Sequence, residues 1–197
     1  MDFNKSRTAE NLARAFATEC MDGARYQFLA KTAHTEGYTH LEVLLKTAAK
    51  EEMSHAQIYW DLITQHGGEA VSNIQINFGY PFKTGPLASQ LKYSSETEKA
   101  ENVSLYPSFA KIAEDEGFKD IAEKFKLVAL VESDHHLLME QLYNELKGGT
   151  LYKKSKPTSW KCNICGHEET GKTAFKTCVM CGAEQGAVQI PVEKNKI

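Results

Sequence analysis

The feature that most constrains this chain is a set of acidic and histidine residues that interrupt four apolar helical patterns at matching depths. Each pattern repeats with alternating steps of three and four residues, which places its members on one face of a helix in a left-handed bundle. The segments span about residues 5–35, 38–66, 87–116 and 118–147. We therefore predict an all-α four-helix bundle over residues 1–148.

The breaks between the segments predict how the helices connect. Only one or two residues, which include Gly37 or Gly117, separate the first two segments and the last two. Such short turns make the helices in each pair antiparallel neighbours. Residues 67–86 are rich in glycine and proline, which predicts a long crossover between helices 2 and 3. Pro107 should kink the third helix or loosen its hydrogen bonds, because proline has no backbone N–H.

Seven polar residues fall on the core-facing patterns, where an ionised carboxylate needs a partner. Two of the patterns contain Glu-x-x-His, which places a carboxylate and an imidazole one turn apart on one face. A single copy is typical of a solvated surface, but two copies in core register favour metal ligation. One Glu from each of two helices and Glu-x-x-His from each of the others is the pattern of di-iron carboxylate bundles. The predicted ligand residues are Glu19, Glu52, His55, Glu98, Glu101, Glu132 and His135.

Oxygen and imidazole ligands suit iron or manganese better than thiophilic metals. Two divalent cations would offset the negative charge of the clustered carboxylates. Tyr26 lies on the first pattern and Tyr106 lies one turn beyond Glu101. Both hydroxyls could reach the metal site and donate hydrogen bonds or protons there, although buried aromatic residues with satisfied hydroxyls are the ordinary alternative.

Four cysteines form two Cys-x-x-Cys pairs near the end of the sequence, at Cys162, Cys165, Cys178 and Cys181. Tight pairs of this kind, in a chain whose first residues lack an apolar signal core, indicate metal ligands rather than disulfides. Four thiolates can hold zinc or iron. A zinc ribbon is the structural alternative, whereas Trp160 and Phe175 could shield a redox iron. We predict a linker over 149–159 and a small, β-rich four-cysteine module over 160–197.

Charge and hydropathy narrow the classes of partner. The net charge of −3 divides into −7 for residues 1–148 and +4 for residues 149–197. The basic part is short and poor in arginine, so we expect no nucleic-acid binding. The densest apolar stretch has five residues, Leu127–Val131, against about 20 for a membrane span. We expect a cytoplasmic protein without a membrane partner.

The two constellations, in this order, resemble rubrerythrin over nearly the whole chain. The segment AFATE at 15–19, Tyr26, the Glu98-x-x-Glu101 pair and the stretch YPSFAKIAEDEG at 106–117 carry the resemblance, together with the rubredoxin-like cysteine module. It implies a ferritin-like bundle with two irons, one further iron on the four cysteines (or zinc in recombinant material) and a homodimer. Val179, where such modules usually have proline, and His167, where they have an aromatic residue, are minor departures.

The resemblance also implies an activity: a peroxidase that reduces hydrogen peroxide to water as a defence against oxidative stress in oxygen-sensitive microbes. In that family the residue matching Glu101 binds one iron in the oxidised state, and on reduction this iron shifts toward the histidine matching His55. Glu101, His55, Tyr26 and Tyr106 are accordingly the predicted catalytic residues. Electron transport would run through the four-cysteine iron from an external NAD(P)H-dependent reductase or a rubredoxin-type donor, since no G-x-G-x-x-G motif or P-loop occurs in this chain.

Three alternatives remain open from the sequence. A di-iron oxidase or ferroxidase would use the same ligands with dioxygen. An iron-storage protein would use a similar bundle but would need a hollow shell of many subunits. An electron carrier or zinc-stapled scaffold without catalysis would leave the buried carboxylates unexplained.

Overall fold

The computed structural model describes residues 2–70 and 73–192. Met1, residues 71 and 72 of the predicted crossover and residues 193–197 of the predicted module lie outside this range. A π-helical turn, Glu101–Leu105, joins the third and fourth helices into one rod, so that four rods form the bundle. The prediction of an all-α four-helix bundle with a small β-containing module is confirmed. The helices are α1 (Arg7–Thr35), α2 (Thr39–Gly67), α3 (Leu87–Ala100), α4 (Tyr106–Glu116) and α5 (Lys119–Gly148).

The two short turns form where they were predicted. Gly37 (φ 85°) follows α1 and Gly117 (φ 92°) follows α4, both in the left-handed region that favours glycine. α1 packs along α2, and α5 packs along the rod made by α3, the π-turn and α4. The carboxylate of Glu116 accepts hydrogen bonds from the backbone N–H groups of Arg7 and Thr8 (3.1 and 2.9 Å), which ties the end of α4 to the start of α1.

Two apolar clusters lie on either side of a polar layer at mid-bundle. One surrounds Phe125, with Leu12 and Phe109 among its members. The other contains Leu45, Leu91 and the module's Ile190 at the opposite end. The predicted ligand residues lie between these clusters, so the burial of apolar side chains holds the polar layer out of water from both ends. Among the described residues, no helix combines the length and the apolarity needed to cross a membrane.

The hydrogen-bond ladder shifts register just before Pro107, where the sequence predicted a kink or loosened hydrogen bonds. The N–H of Tyr106 donates to the carbonyl of Glu101, five residues earlier, instead of four. Pro107 follows this turn directly, at the start of α4, and has no N–H to donate to the ladder. One extra residue in a helical turn rotates the side chains that follow, and such π-turns occur frequently at functional sites. Here the turn begins at Glu101, a predicted ligand.

The module is built on an antiparallel hairpin of β1 (Lys153–Lys161) and β2 (Glu168–Thr173). Strand β1 begins inside the segment 149–159 that the sequence suggested was a linker, so the free linker is shorter than expected. The reason is that the residues from Lys153 onward find strand partners on β2, beginning with Thr173. Trp160 is fully buried between the hairpin and Val188.

The module docks on the end of its own bundle, at the α1–α2 turn and the end of α5. The N–H of Ile190 donates to Nδ1 of His40 (2.9 Å), and Lys154 pairs with Glu145. Gly186 lies so close to the Gly37 carbonyl that any side chain at position 186 would overlap it. His40 lies 12 residues before Glu52 on α2, about 18 Å along a helix that rises 1.5 Å per residue. The docking position is therefore far from the polar layer.

Candidate metal centres

The polar layer brings six of the seven predicted bundle ligands into two overlapping groups. Within each group, one ligand atom per residue lies within 4.8 Å of the others, and every member is buried. Glu52 and Glu132 belong to both groups, so they occupy the shared centre between two metal positions. The two groups are Glu19, Glu52, His55 and Glu132, and Glu52, Glu98, Glu132 and His135.

Both histidines direct Nδ1 at the shared carboxylates. Nδ1 of His55 lies 3.0 Å from Glu132 and 3.3 Å from Glu52. Nδ1 of His135 lies 2.8 Å from Glu132 and 2.9 Å from Glu52. The two imidazole centroids are 6.0 Å apart. Each Glu-x-x-His segment thus presents one carboxylate and one ring nitrogen to the same point, as its spacing on one helical face predicts.

Several ligand atoms in this layer are buried without a hydrogen-bond partner among the described residues. They are the second oxygens of Glu19 and Glu98, one oxygen of Glu132, both oxygens of Glu52 and Nδ1 of His55. Buried polar atoms are ordinarily hydrogen-bonded or bound to a metal. The unpartnered oxygen and nitrogen atoms point at one another across a small volume, so the donor set fits two hard or borderline cations such as iron.

Burial and mutual repulsion perturb the pKa values of these groups. Burial, with the neighbouring carboxylates, raises the pKa of Glu19 and of Glu98 well above the ordinary glutamate value. Burial opposes ionisation of Glu52 as well, but the adjacent imidazoles of His135 and His55 outweigh it and lower the pKa of Glu52. Burial would lower the pKa of His55, yet its carboxylate partners raise it to about 12. Without metal, bound protons neutralise these carboxylates. In the loaded site, metal cations would take the place of those protons.

The two predicted tyrosines each donate a hydrogen bond to a ligand carboxylate. The hydroxyl of Tyr26 donates to Glu98 and that of Tyr106 donates to Glu19. Burial raises the pKa of Tyr106 well above its ordinary value, so this hydroxyl keeps its proton. Hydrogen bonds of this kind fix the orientation of ligand carboxylates.

Glu101 is buried near this layer but is not a member of either four-residue group. Burial first, then the charges of Glu98 and Asp22, raise the pKa of Glu101 well above its usual value. Glu101 also lines a cavity on the outer side of the bundle. Glu101 therefore stands between the two ligand groups and that cavity, on a π-turn.

Sequence reasoning missed four residues around the site. Glu51 lies one position off the helical pattern that carries Glu52, yet its carboxylate lies 2.9 Å from Nε2 of His135. Asp22 and Arg25 form a buried ion pair, and Arg25 also lies 3.6 Å from Glu98. The hydroxyl of Tyr80, in the crossover, donates to Asp22 at 2.8 Å. Burial raises the pKa of Asp22 to about 6. The i, i+3 spacing of Asp22 and Arg25 was visible in the sequence, but Tyr80 had no periodic signal.

The four cysteines also come together as predicted. Sγ of Cys162 lies 3.7 Å from Sγ of Cys181, and Cys165 lies 3.6 Å from Cys178. Gly166 and Gly182, both with positive φ, close the two knuckles by donating their N–H groups to the first cysteine of each pair. Burial opposes ionisation of Cys162, but backbone N–H groups lower the pKa of its thiol to about 7. Such a cluster of thiolates suits a tetrahedral metal.

Fold and sites together define a ferritin-like di-iron carboxylate protein with an additional four-cysteine iron site. The family model described as Rubrerythrin matches residues 10–143 and 89–162. Rubrerythrin-1 of Clostridium acetobutylicum is 36% identical over 186 residues, covering 94% of each chain. The rubrerythrin of Porphyromonas gingivalis is 32% identical, covering 96% of this chain and 92% of the relative. The chain belongs to the rubrerythrin family.

Solved structures support the same fold. Partially reduced nigerythrin aligns with a TM-score of 0.61 at 24% identity, covering 97% of this chain and 94% of that one. The bacterioferritin of Desulfovibrio desulfuricans aligns with a TM-score of 0.65 at 22% identity, covering 74% of this chain and 82% of that one. The carboxylate–histidine cluster and the four-cysteine cluster fit the two iron sites of a rubrerythrin.

Removing the metals is expected to make stability fall as pH rises. Burial raises the pKa values of Glu19, Glu98 and Glu101 above the ordinary glutamate pKa of 4.5. Above that pH, the metal-free fold therefore holds protons that the unfolded chain releases. His55 likewise holds a proton that unfolded histidine releases near 6.5. The free energy of unfolding should therefore decrease between about pH 5 and 8, by about 1.4 kcal/mol per pH unit for each extra proton held.

The measurement is urea unfolding of chelator-treated protein at several pH values within that range. Glu52 has a lowered pKa, so its contribution to the free energy of unfolding is already complete above the ordinary glutamate pKa of 4.5. It therefore does not change the sign of the slope between pH 5 and 8. Protein loaded with metal should show a smaller slope, since cations replace the protons. A metal-free protein that gains stability as pH rises would contradict the assignment of these buried carboxyl groups.

Proposed function

We propose that this protein is a peroxidase that reduces hydrogen peroxide to water. The observation that carries the proposal is the pair of overlapping ligand groups, which share Glu52 and Glu132 and lie beside the buried, non-member carboxylate of Glu101. Splitting the O–O bond of hydrogen peroxide into two waters needs two electrons and two protons. Iron in the two sites, when bound, supplies the electrons, and a two-metal site can clamp both oxygens of the substrate.

The chain's own residues prepare the site for this reaction. Glu52 and Glu132 hold the shared centre, with His55 and His135 on opposite sides of it. Tyr26 and Tyr106 orient Glu98 and Glu19 through their hydroxyl groups and keep protons close to the substrate. Glu101 and His55 would serve one metal position, Glu101 in the oxidised state and His55 in the reduced state. These assignments make Glu101, His55, Tyr26 and Tyr106 the catalytic residues of the proposal.

We further propose a homodimer in which the module of one chain serves the bundle of the other. The module is docked on its own bundle far from the polar layer, and electron tunnelling slows exponentially with distance. Large apolar side chains stand about half exposed on two helices, Met53 and Trp60 on α2 and Leu127 and Leu130 on α5. A contiguous exposed patch of such side chains would mark a protein–protein interface. The charges of bundle and module, −7 and +4, favour such docking.

The electrons are proposed to come from an external NAD(P)H-dependent reductase or a rubredoxin-type donor. The bundle (1–148) would then reduce the peroxide, and the module (160–197) would pass electrons to it. We place the reaction in the cytoplasm, a reducing compartment in which the four thiolates persist as metal ligands.

The proposal is tested by mixing anaerobically reduced, metal-counted protein rapidly with hydrogen peroxide or with dioxygen. The visible bands of the four-cysteine iron report its oxidation. We expect three irons per chain and faster oxidation by peroxide. Faster oxidation by dioxygen would favour the second candidate, a di-iron oxidase or ferroxidase, which uses the same ligand groups and would replace the peroxidase assignment.

A further inference from the structure

A cavity of about 460 Å³ lies beside the polar layer, beneath the crossover. Phe78 and Pro81 of the crossover form its outer wall, and Leu105 and Phe109 form its inner wall. Sites for small organic ligands have volumes of about 300–1,000 Å³. A water molecule occupies only about 30 Å³, and hydrogen peroxide has just one more oxygen atom. The cavity is therefore much larger than reduction of hydrogen peroxide requires, and its lining combines these apolar side chains with polar ones that include Arg14.

The cavity reaches the ligand groups through its inner wall. Glu101 contributes directly to the lining. Thr18 and Thr97 also line it, and each immediately precedes a ligand glutamate in the chain. Three glutamates of the site thus lie at or just behind one wall. A molecule in the cavity could place a reactive end at Glu101 while an apolar remainder stays among the aromatic side chains.

A buried network fixes the outer wall in place. The Tyr80 hydroxyl donates to Asp22 at 2.8 Å, and Asp22 pairs with Arg25. The guanidinium of Arg25 also lies 5.6 Å from the Tyr80 ring centroid. Of the described residues in 73–84, Tyr80 makes the one hydrogen bond to a bundle helix. The crossover is consequently anchored beside the cavity, which keeps the space open in a defined shape.

We propose that this cavity binds the apolar group of an organic hydroperoxide, with its O–OH end at Glu101, as a second class of substrate. The inference rests on the proposed function, which supplies the electrons. In the reaction, R–O–OH takes up two electrons and two protons, the O–O bond breaks, and R–OH and water form. The electrons come from the reduced di-iron site, which the external donor reduces again. The alkyl or aryl group R stays bound among Phe78, Leu105 and Phe109 throughout.

The test fills the cavity and compares substrates. Ser104 is an exposed residue of the π-turn that lines the cavity, and its hydroxyl bonds only to a helical carbonyl. Ser104→Trp should lower kcat/KM for cumene hydroperoxide by about tenfold or more, the usual range for a changed apolar pocket. Hydrogen peroxide reduction should be unchanged. Ser108→Trp is the matched control, because Ser108 is equally exposed, makes the same kind of bond and lies outside the lining.

A binding measurement that does not depend on turnover accompanies the kinetics. Cumyl alcohol, the product of cumene hydroperoxide, is titrated calorimetrically into the fully metallated, oxidised protein. We expect saturable binding to the original protein and to Ser108→Trp, and loss of binding in Ser104→Trp. The melting temperatures of both variants show that the added indole has not unfolded the bundle.

The outcomes separate this inference from the proposed function. Hydrogen peroxide reduction with no binding of the alcohol, or with equal binding by Ser104→Trp, would overturn the cavity assignment alone. Alcohol binding that Ser104→Trp abolishes, in a protein that reduces neither peroxide, would overturn the proposed function and with it the assignment of the hydroperoxide as a substrate. Equal kcat/KM for cumene hydroperoxide in both tryptophan variants would also overturn the inference.

Discussion

Replacing Glu101 with alanine is expected to lower kcat/KM for hydrogen peroxide by about 100-fold, the upper range for loss of a residue that tunes a metal site. Glu101 is the buried carboxylate that lies outside both four-residue groups and also lines the cavity. Under the proposed function, one metal position would then lose its exchanging ligand, while the shared centre at Glu52 and Glu132 would be retained. The iron content should therefore fall less than the activity.

Two controls separate this role from a general effect of the substitution. Glu101→Gln keeps the volume and removes the negative charge, so it should be nearly as impaired as Glu101→Ala. Glu96→Ala removes an exposed glutamate of α3 whose partner is Lys92, and it should leave turnover unchanged. Metal-free Glu101→Ala should remain folded, because burying a carboxyl group beside other carboxylates does not add to the free energy of unfolding. Unchanged peroxide turnover in Glu101→Ala would refute the proposed role.

The periodic part of the molecule could be predicted from the sequence because the helical repeat is a local property. The steps of three and four residues carry Glu19, Glu52 and Glu132 to one side of their helices, and the structure buries all three. Gly37 and Gly117 mark turns because only a residue without a side chain adopts positive φ at low cost. Six of the seven residues that the pattern predicts as ligands come together in the two groups, and Glu101 does not.

The non-periodic part could not be predicted, because it depends on contacts between distant segments. Tyr80 lies in a segment without a repeat, and its bond to Asp22 joins residues 58 positions apart. Glu51 lies outside the helical pattern, yet the position of α5 brings His135 within reach of it. Strand β1 was mistaken for a linker because its lysines and serines lack an alternating apolar pattern, and pairing with β2 decides its structure.

Loss of the four-cysteine site is expected to abolish steady-state turnover while sparing the bundle. Cys181→Ser removes one of the four thiolates that hold the metal, so turnover with the external donor should fall to the level seen without the donor. Chemically reduced Cys181→Ser protein should still consume hydrogen peroxide once per di-iron site, since the ligand groups of the bundle are unchanged. Protein with zinc in an intact module is the matched control: it keeps the module folded and should be equally inactive with the donor.

Mixing two inactive variants then decides which bundle each module serves. Glu101→Ala chains have an intact module, and Cys181→Ser chains have an intact bundle. If modules act across the dimer, a heterodimer contains one working pair of sites, and random exchange in a two-fold dimer should restore about a quarter of the original activity. If each module served its own bundle, no chain in the mixture would contain both intact sites and activity would stay absent. The docking of Gly186 on Gly37, at the bundle end remote from the ligands, leads us to expect recovery.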